Sequence, residues 1–354
     1  MIIKNINKYQ SMNLNINSQI IKRLKYFISF ILFLLYLFVL YYNQIKHKLF
    51  KHFGDNIIIN DLDDNYVDDI ERYIFDRIKE RLKGPQVMGL IDYYFINGLI
   101  RKYRPKKLLE IGVCSGGMSA VILNAIKDIK DAILFSCDLE NKHYLDSNFS
   151  VGSIVKDYFP ELLNKWKLFT GNTTSAFIEE IGNDIDFVFI DTAHVMPGEV
   201  LNMIEIFPFL KKRAIIALDD IDHQAREILF TSKYFYPCNN LLFSVLRGEK
   251  IIMGPKFNDK FGFRKLGAVI LDDDQEKYFY EYFYLLTNNW SYMPNKFEID
   301  IIRKFIAKYY KPFFLTMFDT AVNLNYEKLE KIGLLTKDYI EYTFNNVNRN
   351  RSFL

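Results

Sequence analysis

The chain has 354 residues, half of them apolar and a quarter charged, with a formal net charge of +3 and three cysteines. That apolar fraction excludes a disordered polymer and is ample for a packed core, and the length allows roughly two domains at about 150 residues each. Cys114, Cys137 and Cys238 are too scattered for a disulfide framework or a thiolate metal cluster, and the small net charge argues against a dedicated nucleic-acid binder.

The charge is unevenly placed. Lys4, Lys8, Lys22, Arg23, Lys25, Lys46, Lys48 and Lys51 all precede the first carboxylate, Asp55, so residues 1–54 are basic and the remainder is net acidic. Within the basic segment, residues 26–42 read YFISFILFLLYLFVLYY, with Ser29 the only non-apolar member. A helix over this run would be about 26 Å long, at the short end for a hydrocarbon core of roughly 30 Å. It is apolar on every side, with tyrosines at both ends and lysines beyond them, which predicts a transmembrane helix or an in-plane anchor. The long leader and the missing small-residue cleavage site argue against a signal peptide. The flanking cations nearly balance, and counting Lys4 and Lys8 would favour a cytoplasmic N-terminus with the large domain outside. The expected location is nonetheless the cytoplasmic face of the membrane, with the large domain in the cytosol. The alternative is a buried helix or an extension ahead of a later start at Met12.

An acidic patch, Asp61 to Asp69, leads into a predicted helix over 66–83, with Ile70, Ile74, Ile78 and Leu82 at helical spacing. A second helix is expected over about 87–103. Short apolar runs at 107–111, 132–137, 166–170, 185–190 and 213–218 then alternate with helical stretches near 117–128, 152–163, 173–181 and 197–209. This alternation predicts an α/β fold, a parallel sheet covered on both faces. Runs 249–253 and 265–271 have no long helix between them and predict an antiparallel pair at the sheet edge, for seven strands in all. Residues 275–354 are helical in pattern and crowded with Tyr and Phe, a candidate surface for a homo-oligomer. The expected organisation is an N-terminal segment (1–54), a helical lead-in (55–104), a cofactor-binding domain (105–272) and a C-terminal helical extension (273–354).

LLEIGVCSGG (108–117) places Glu110 at a strand end, then Gly112, Gly116 and Gly117 before a helix. Gly112 permits a tight turn, and Gly116 and Gly117 let backbone N–H groups approach a ligand at a helix N-terminus. Asp138 ends the next strand, placed to accept hydrogen bonds from ribose hydroxyls. No Lys-Ser/Thr pair follows the glycines, so a triphosphate-binding loop is not expected. The arrangement resembles the class I S-adenosylmethionine-dependent methyltransferases, whose first motif is acid-x-Gly-x-Gly-x-Gly. Glu110, Gly112 and Gly116 match it, and Cys114 stands where the middle glycine would be. The resemblance covers about 90–272. It implies a Rossmann-like methyltransferase fold and S-adenosylmethionine held by Glu110, Gly112, Cys114, Gly116 and Gly117. It further implies Asp138 on the ribose and Asn172 beside the adenine.

FVFIDTAH (187–194) puts Asp191 just past a strand with His194 three residues on, and AIIALDD (214–220) puts Asp219 and Asp220 past the next. Strand C-termini converge on one rim of such a sheet, so these residues should face the glycine loop. Clustered carboxylates need a cation or protons, and oxygen ligands suit Mg²⁺, Mn²⁺ or Ca²⁺. The segment resembles metal-dependent sugar and catechol O-methyltransferases and cephalosporin-hydroxylase-like proteins. That resemblance implies Asp191, Asp219 and Asp220 as metal ligands, with His194 as general base and Asp191 in the catalytic set. The plainer readings are a polar strand end for Asp191, a helix cap for Asp219 or Asp220, and a turn residue for His194. His223 and His143 are weaker candidates. The expected activity is O-methylation of a sugar or cell-envelope glycan hydroxyl, free or lipid-linked. The alternatives are hydroxylase-like chemistry on the same fold, or a catalytically silent membrane-bound scaffold that binds the cofactor.

Overall fold

The computed structural model describes residues 57–58, 90–143, 147–221, 236–252 and 265–333, all within the unit Ile57–Leu354. The apolar run 26–42, the predicted helix 66–83 and His223 lie outside the described residues. In chain order the elements are β1 (Ile57–Ile58), α1 (Leu90–Tyr103), β2 (Lys107–Ile111), α2 (Gly117–Ile126), β3 (Ile133–Asp138), α3 (Ser153–Tyr158), β4 (Trp166–Thr170) and α4 (Ile178–Ile181). They continue with β5 (Ile185–Ile190), α5 (Gly198–Ile206), β6 (Leu210–Leu218), α6 (Asn239–Val245), β7 (Gly248–Ile252), β8 (Gly267–Leu271), α7 (Phe279–Leu285), α8 (Lys296–Tyr309) and α9 (Pro312–Lys331).

The strands form one sheet in the order β1-β7-β8-β6-β5-β2-β3-β4, in which β8 runs antiparallel to both neighbours. The seven expected strands are present, and the two-residue β1 pairs parallel with β7 outside them. Consecutive residues alternate between faces. Leu109, Ile111, Val188, Ile190, Ile216 and Leu218 line one core, while Leu108, Leu134, Phe187, Phe189, Ile215 and Ala217 line the other. Helices α1, α2 and α3 cover the second face; α5, α6 and the C-terminal helices cover the first.

Two predicted helices are cut short by a proline, and the stretch 173–181 is a 3-10 turn, Thr174–Ala176, followed by the short α4. Pro160 has no N–H to give the preceding turn, so α3 stops at Tyr158 and a 3-10 turn, Pro160–Lys165, follows. Pro208 does the same after α5, giving the turn Phe207–Phe209.

The C-terminal helices are built into the core. Tyr282, Phe283, Trp290, Phe305, Tyr310 and Phe318 are buried in the same cluster as the sheet. Phe207 stacks on Tyr282 with ring centroids 4.7 Å apart, and the Tyr310 hydroxyl donates to the Ile204 carbonyl at 2.5 Å. Asn295 and Glu298 form a reciprocal capping box that starts α8, and Pro312 sits in the first turn of α9. Of the aromatic residues that suggested an oligomer surface, Tyr282, Phe283, Phe305, Tyr310 and Phe318 are used inside, while Tyr280, Tyr284, Phe297, Phe313 and Tyr326 remain exposed.

Among the described residues no helix is long and apolar enough to cross a membrane. The longest, α9, carries Asp319, Glu327, Lys328, Glu330 and Lys331. The expected transmembrane helix and membrane-associated location are thus corrected to this extent: no described helix carries them, and the run 26–42 lies outside the described residues.

Candidate active site

Four parallel strands deliver the site residues to one rim, and backbone hydrogen bonds carry their pairing one residue further. Gly112 N–H donates to the Cys137 carbonyl, Asp191 N–H to Ile111 and Asp219 N–H to Ile190. The order along the rim is therefore Asp138, the glycine loop, Asp191 and Asp219. The strand order reverses between β2 and β5, which is where ligands bind in open α/β sheets.

At Gly112 (φ +88°) a Cβ would lie 1.9 Å from the Asp191 carbonyl oxygen, and at Gly116 (φ +90°) a Cβ would lie 2.9 Å from the Gly152 Cα. Both glycines are demanded by neighbouring backbone as well as by the turn. Cys114 adopts a left-handed φ of 51° where the motif's middle glycine would stand, and burial pushes its thiol up to about 11, away from thiolate reactivity. Gly117 begins α2, and no side chain caps that helix, so its N-terminal amides face the loop without a competing carboxylate or hydroxyl.

Glu110 is fully buried beneath the loop. Its Oε2 accepts hydrogen bonds from Ser119 (2.6 Å) and Ser136 (2.7 Å), while Oε1 has no partner. Burial pushes its carboxyl up to about 8, outweighing the two serines. Asp138 braces the loop: its Oδ2 accepts from Val113 N–H at 2.9 Å and Cys114 N–H at 3.0 Å, and its Oδ1 from Glu140 N–H at 2.9 Å. Asn172 accepts from Thr173 N–H at 2.9 Å. The three polar residues expected at the cofactor thus all make internal bonds. His143 lies past β3, its N–H donating to the Phe149 carbonyl at 3.0 Å.

Across the rim, one ligand atom each of Asp191, His194 and Asp219 lie within 4.8 Å of one another. His194 Nε2 is 3.3 Å from Asp191 Oδ1 and 3.8 Å from Asp220 Oδ2, so Asp220 joins the group through the histidine. His194 (φ 58°) and Asp220 (φ 50°) hold left-handed backbone, the strain expected at a functional rim. Burial opposes charge on the His194 ring, yet Asp191, Asp220 and Glu199 together push its pKa up to about 10. In this arrangement the ring is an ion-pair partner at neutral pH. The Asp191 and Asp219 carboxylates, the latter with a buried Oδ1 that has no hydrogen-bond donor, fit a small divalent cation, with the His194 imidazole beside them.

Sequence reasoning missed four neighbours. Glu199, fully buried, accepts from His194 N–H at 2.6 Å and from the Thr192 hydroxyl at 3.0 Å. Asn239 donates to the Asp219 carbonyl at 2.6 Å and lies 3.1 Å from His194 Nδ1. Lys265 reaches Asp92 at 3.1 Å and Asp219 at 3.6 Å. Only Glu199 carried a local signal, sitting five residues after His194 in the same motif; the others arrive from distant elements.

Residues 109–221 match a family model described as a methyltransferase domain, a span that includes both the glycine loop and the acidic arm. No curated protein gives a significant match. Among solved structures, the chain is similar to an O-methyltransferase from Streptomyces achromogenes involved in tomaymycin synthesis, at 12% identity and TM-score 0.41, covering 63% of this chain and 96% of that one. It is also similar to an O-methyltransferase from Bacillus cereus, at 11% identity and TM-score 0.41, covering 63% and 97%. The described body has the class I S-adenosylmethionine-dependent methyltransferase fold. Its topology and the family-model match support methyltransferase activity.

Proposed function

We propose that this chain transfers the methyl group of S-adenosylmethionine to a hydroxyl oxygen of a small molecule, with a sugar hydroxyl as the substrate class. The observation that carries the reading is the Asp191, His194 and Asp219 group on the same rim as the glycine loop. The sugar assignment rests on the resemblance of the acidic arm to metal-dependent sugar methyltransferases.

The loop 112–116 and the uncapped α2 N-terminus would receive the cofactor's methionine part, with Asp138 holding the loop in shape. Asp191 and Asp219, with Asp220 beside them, would hold a divalent cation, which when bound supplies charge that lowers the pKa of a substrate hydroxyl. In its neutral form the His194 ring would accept the hydroxyl proton through Nε2, the nitrogen facing Asp191 and Asp220. The carboxylates that keep this ring charged are those proposed for the cation, so the ring's basicity depends on the charge balance of the group. Glu199 and Asn239 hold the histidine from behind. Alignment of hydroxyl and sulfonium supplies much of the rate, because the cofactor already carries an activated methyl group.

The test is methyl transfer from isotopically labelled S-adenosylmethionine to a panel of sugars and catechols, with and without EDTA. His194→Ala should lower turnover about 10²-fold or more while cofactor affinity measured by calorimetry stays within about twofold. Unchanged turnover in that variant would remove His194 from the chemistry, and absence of cofactor binding in the unaltered protein would end the reading.

A further inference from the structure

The acidic group already contains a cation of its own. Lys265 lies just before β8, its backbone carbonyl accepting from Ile221 N–H at 2.9 Å, and its ammonium lies between Asp92 of α1 and Asp219. Both carboxylates are buried, whereas the lysine side chain is partly exposed. Asp219 Oδ1, the atom 3.6 Å from the ammonium, has no hydrogen-bond donor. The ammonium is closer to Asp92, at 3.1 Å. Asp219 is therefore neutralised by charge at a distance and keeps its oxygen available, while Asp92 takes the direct hydrogen bond.

We propose that Lys265 is an internal counter-cation of the carboxylate group that sets its affinity for a divalent metal, with Asp92 drawing the ammonium off Asp219. The inference rests on the metal part of the function proposed above. A cation entering between Asp191 and Asp219 meets an ammonium already within ion-pair distance of one of its ligands, and like charges at such separation repel strongly where water is scarce. Lys265 is thus a positioning residue that keeps metal binding weak and reversible while sparing the fold from uncompensated buried carboxylates. The sequence offers no hint of this, since Asp92, Asp219 and Lys265 come from three separate elements.

The experiment titrates Mn²⁺ alone into the full chain by calorimetry, comparing the unaltered protein with Lys265→Met, Lys265→Arg and Asp92→Asn. Lys265→Met should bind Mn²⁺ about tenfold more tightly or better, and Lys265→Arg should stay close to the unaltered protein. Asp92→Asn should bind several-fold more weakly, because the ammonium is then drawn toward Asp219 and the carboxylates beside it, and this opposite shift decides the matter should Lys265→Met fail to fold. Equal or weaker Mn²⁺ binding in Lys265→Met, an unshifted Asp92→Asn, or no Mn²⁺ binding by any form overturns the proposal. Cofactor binding, measured on the same samples, separates this from the function itself. Bound S-adenosylmethionine with unshifted Mn²⁺ affinities defeats only the role of Lys265. Shifted affinities without cofactor binding defeat only the methyltransferase reading.

Discussion

Cys114, His194 and Asp220 are non-glycine residues in left-handed backbone, and all three stand on the rim that carries the glycine loop and the acidic arm. Such conformations cost on the order of 1 kcal/mol each, and a glycine at the same place relieves the cost. Asp220→Gly relieves that cost but also removes the ion pair with His194, so stability should change by less than about 1 kcal/mol while methyl transfer falls; thermal melts and turnover on one sample check both. Glu110 and Glu205 give a second residue-scale expectation. Both are buried carboxyls pushed up to about 8, against an ordinary value near 4.5. Between those values the folded protein keeps a proton that the unfolded chain has released. Their contribution is fully present below about pH 4.5 and is lost as pH rises through about 8. Stability from urea unfolding should drop by a few kcal/mol between pH 6 and pH 9 on this account. Glu110→Gln should remove a substantial part of that slope, and an unchanged slope would refute the assignment.

The loop after β2 and the turn after β5 are one object in packing terms, because the Asp191 carbonyl occupies the space a side chain at position 112 would need. Gly112→Ala forces an overlap with backbone that cannot rotate away, in a conformation alanine disfavours. It should cost about 3 kcal/mol or more and be seen as a lowered urea midpoint or loss of soluble protein. Much of this level was legible in the sequence. Short continuous apolar runs marked the strands, glycines after an acid marked the loop, and Asp191, Asp219 and Asp220 stood at strand ends where a doubly wound sheet gathers them. Contacts that depend on which helix lies over which strand end were not legible. Asn239, Lys265 and Asp92 lie far from the motif in the chain, and no periodicity links them to it. Nor did Asp138 show that its two oxygens would serve the loop's own amides. Helix lengths failed where a proline inside an apolar pattern ended the hydrogen-bond ladder, as at Pro160.

The whole described body behaves as a sheet clad on both faces, with the aromatic C-terminal helices forming part of one face. Tyr310→Phe should cost about 1 kcal/mol through the lost bond to Ile204, read as a shift in urea midpoint. Removing residues 273–333 should yield no folded protein, because buried sheet residues would lose their cover. The two tryptophans of the chain fall on opposite faces. Trp290 sits among the C-terminal helices, its N–H donating to the Leu286 carbonyl. Trp166 donates to Ser136, which in turn donates to Glu110, and its ring lies against Gly152 beneath the glycine loop. The molecule is therefore wired with two separate optical channels. Trp290→Phe leaves an emission that watches the loop, which should respond to added S-adenosylmethionine. Trp166→Phe leaves one that watches the helical layer, which should stay dark to the cofactor yet melt at the same temperature.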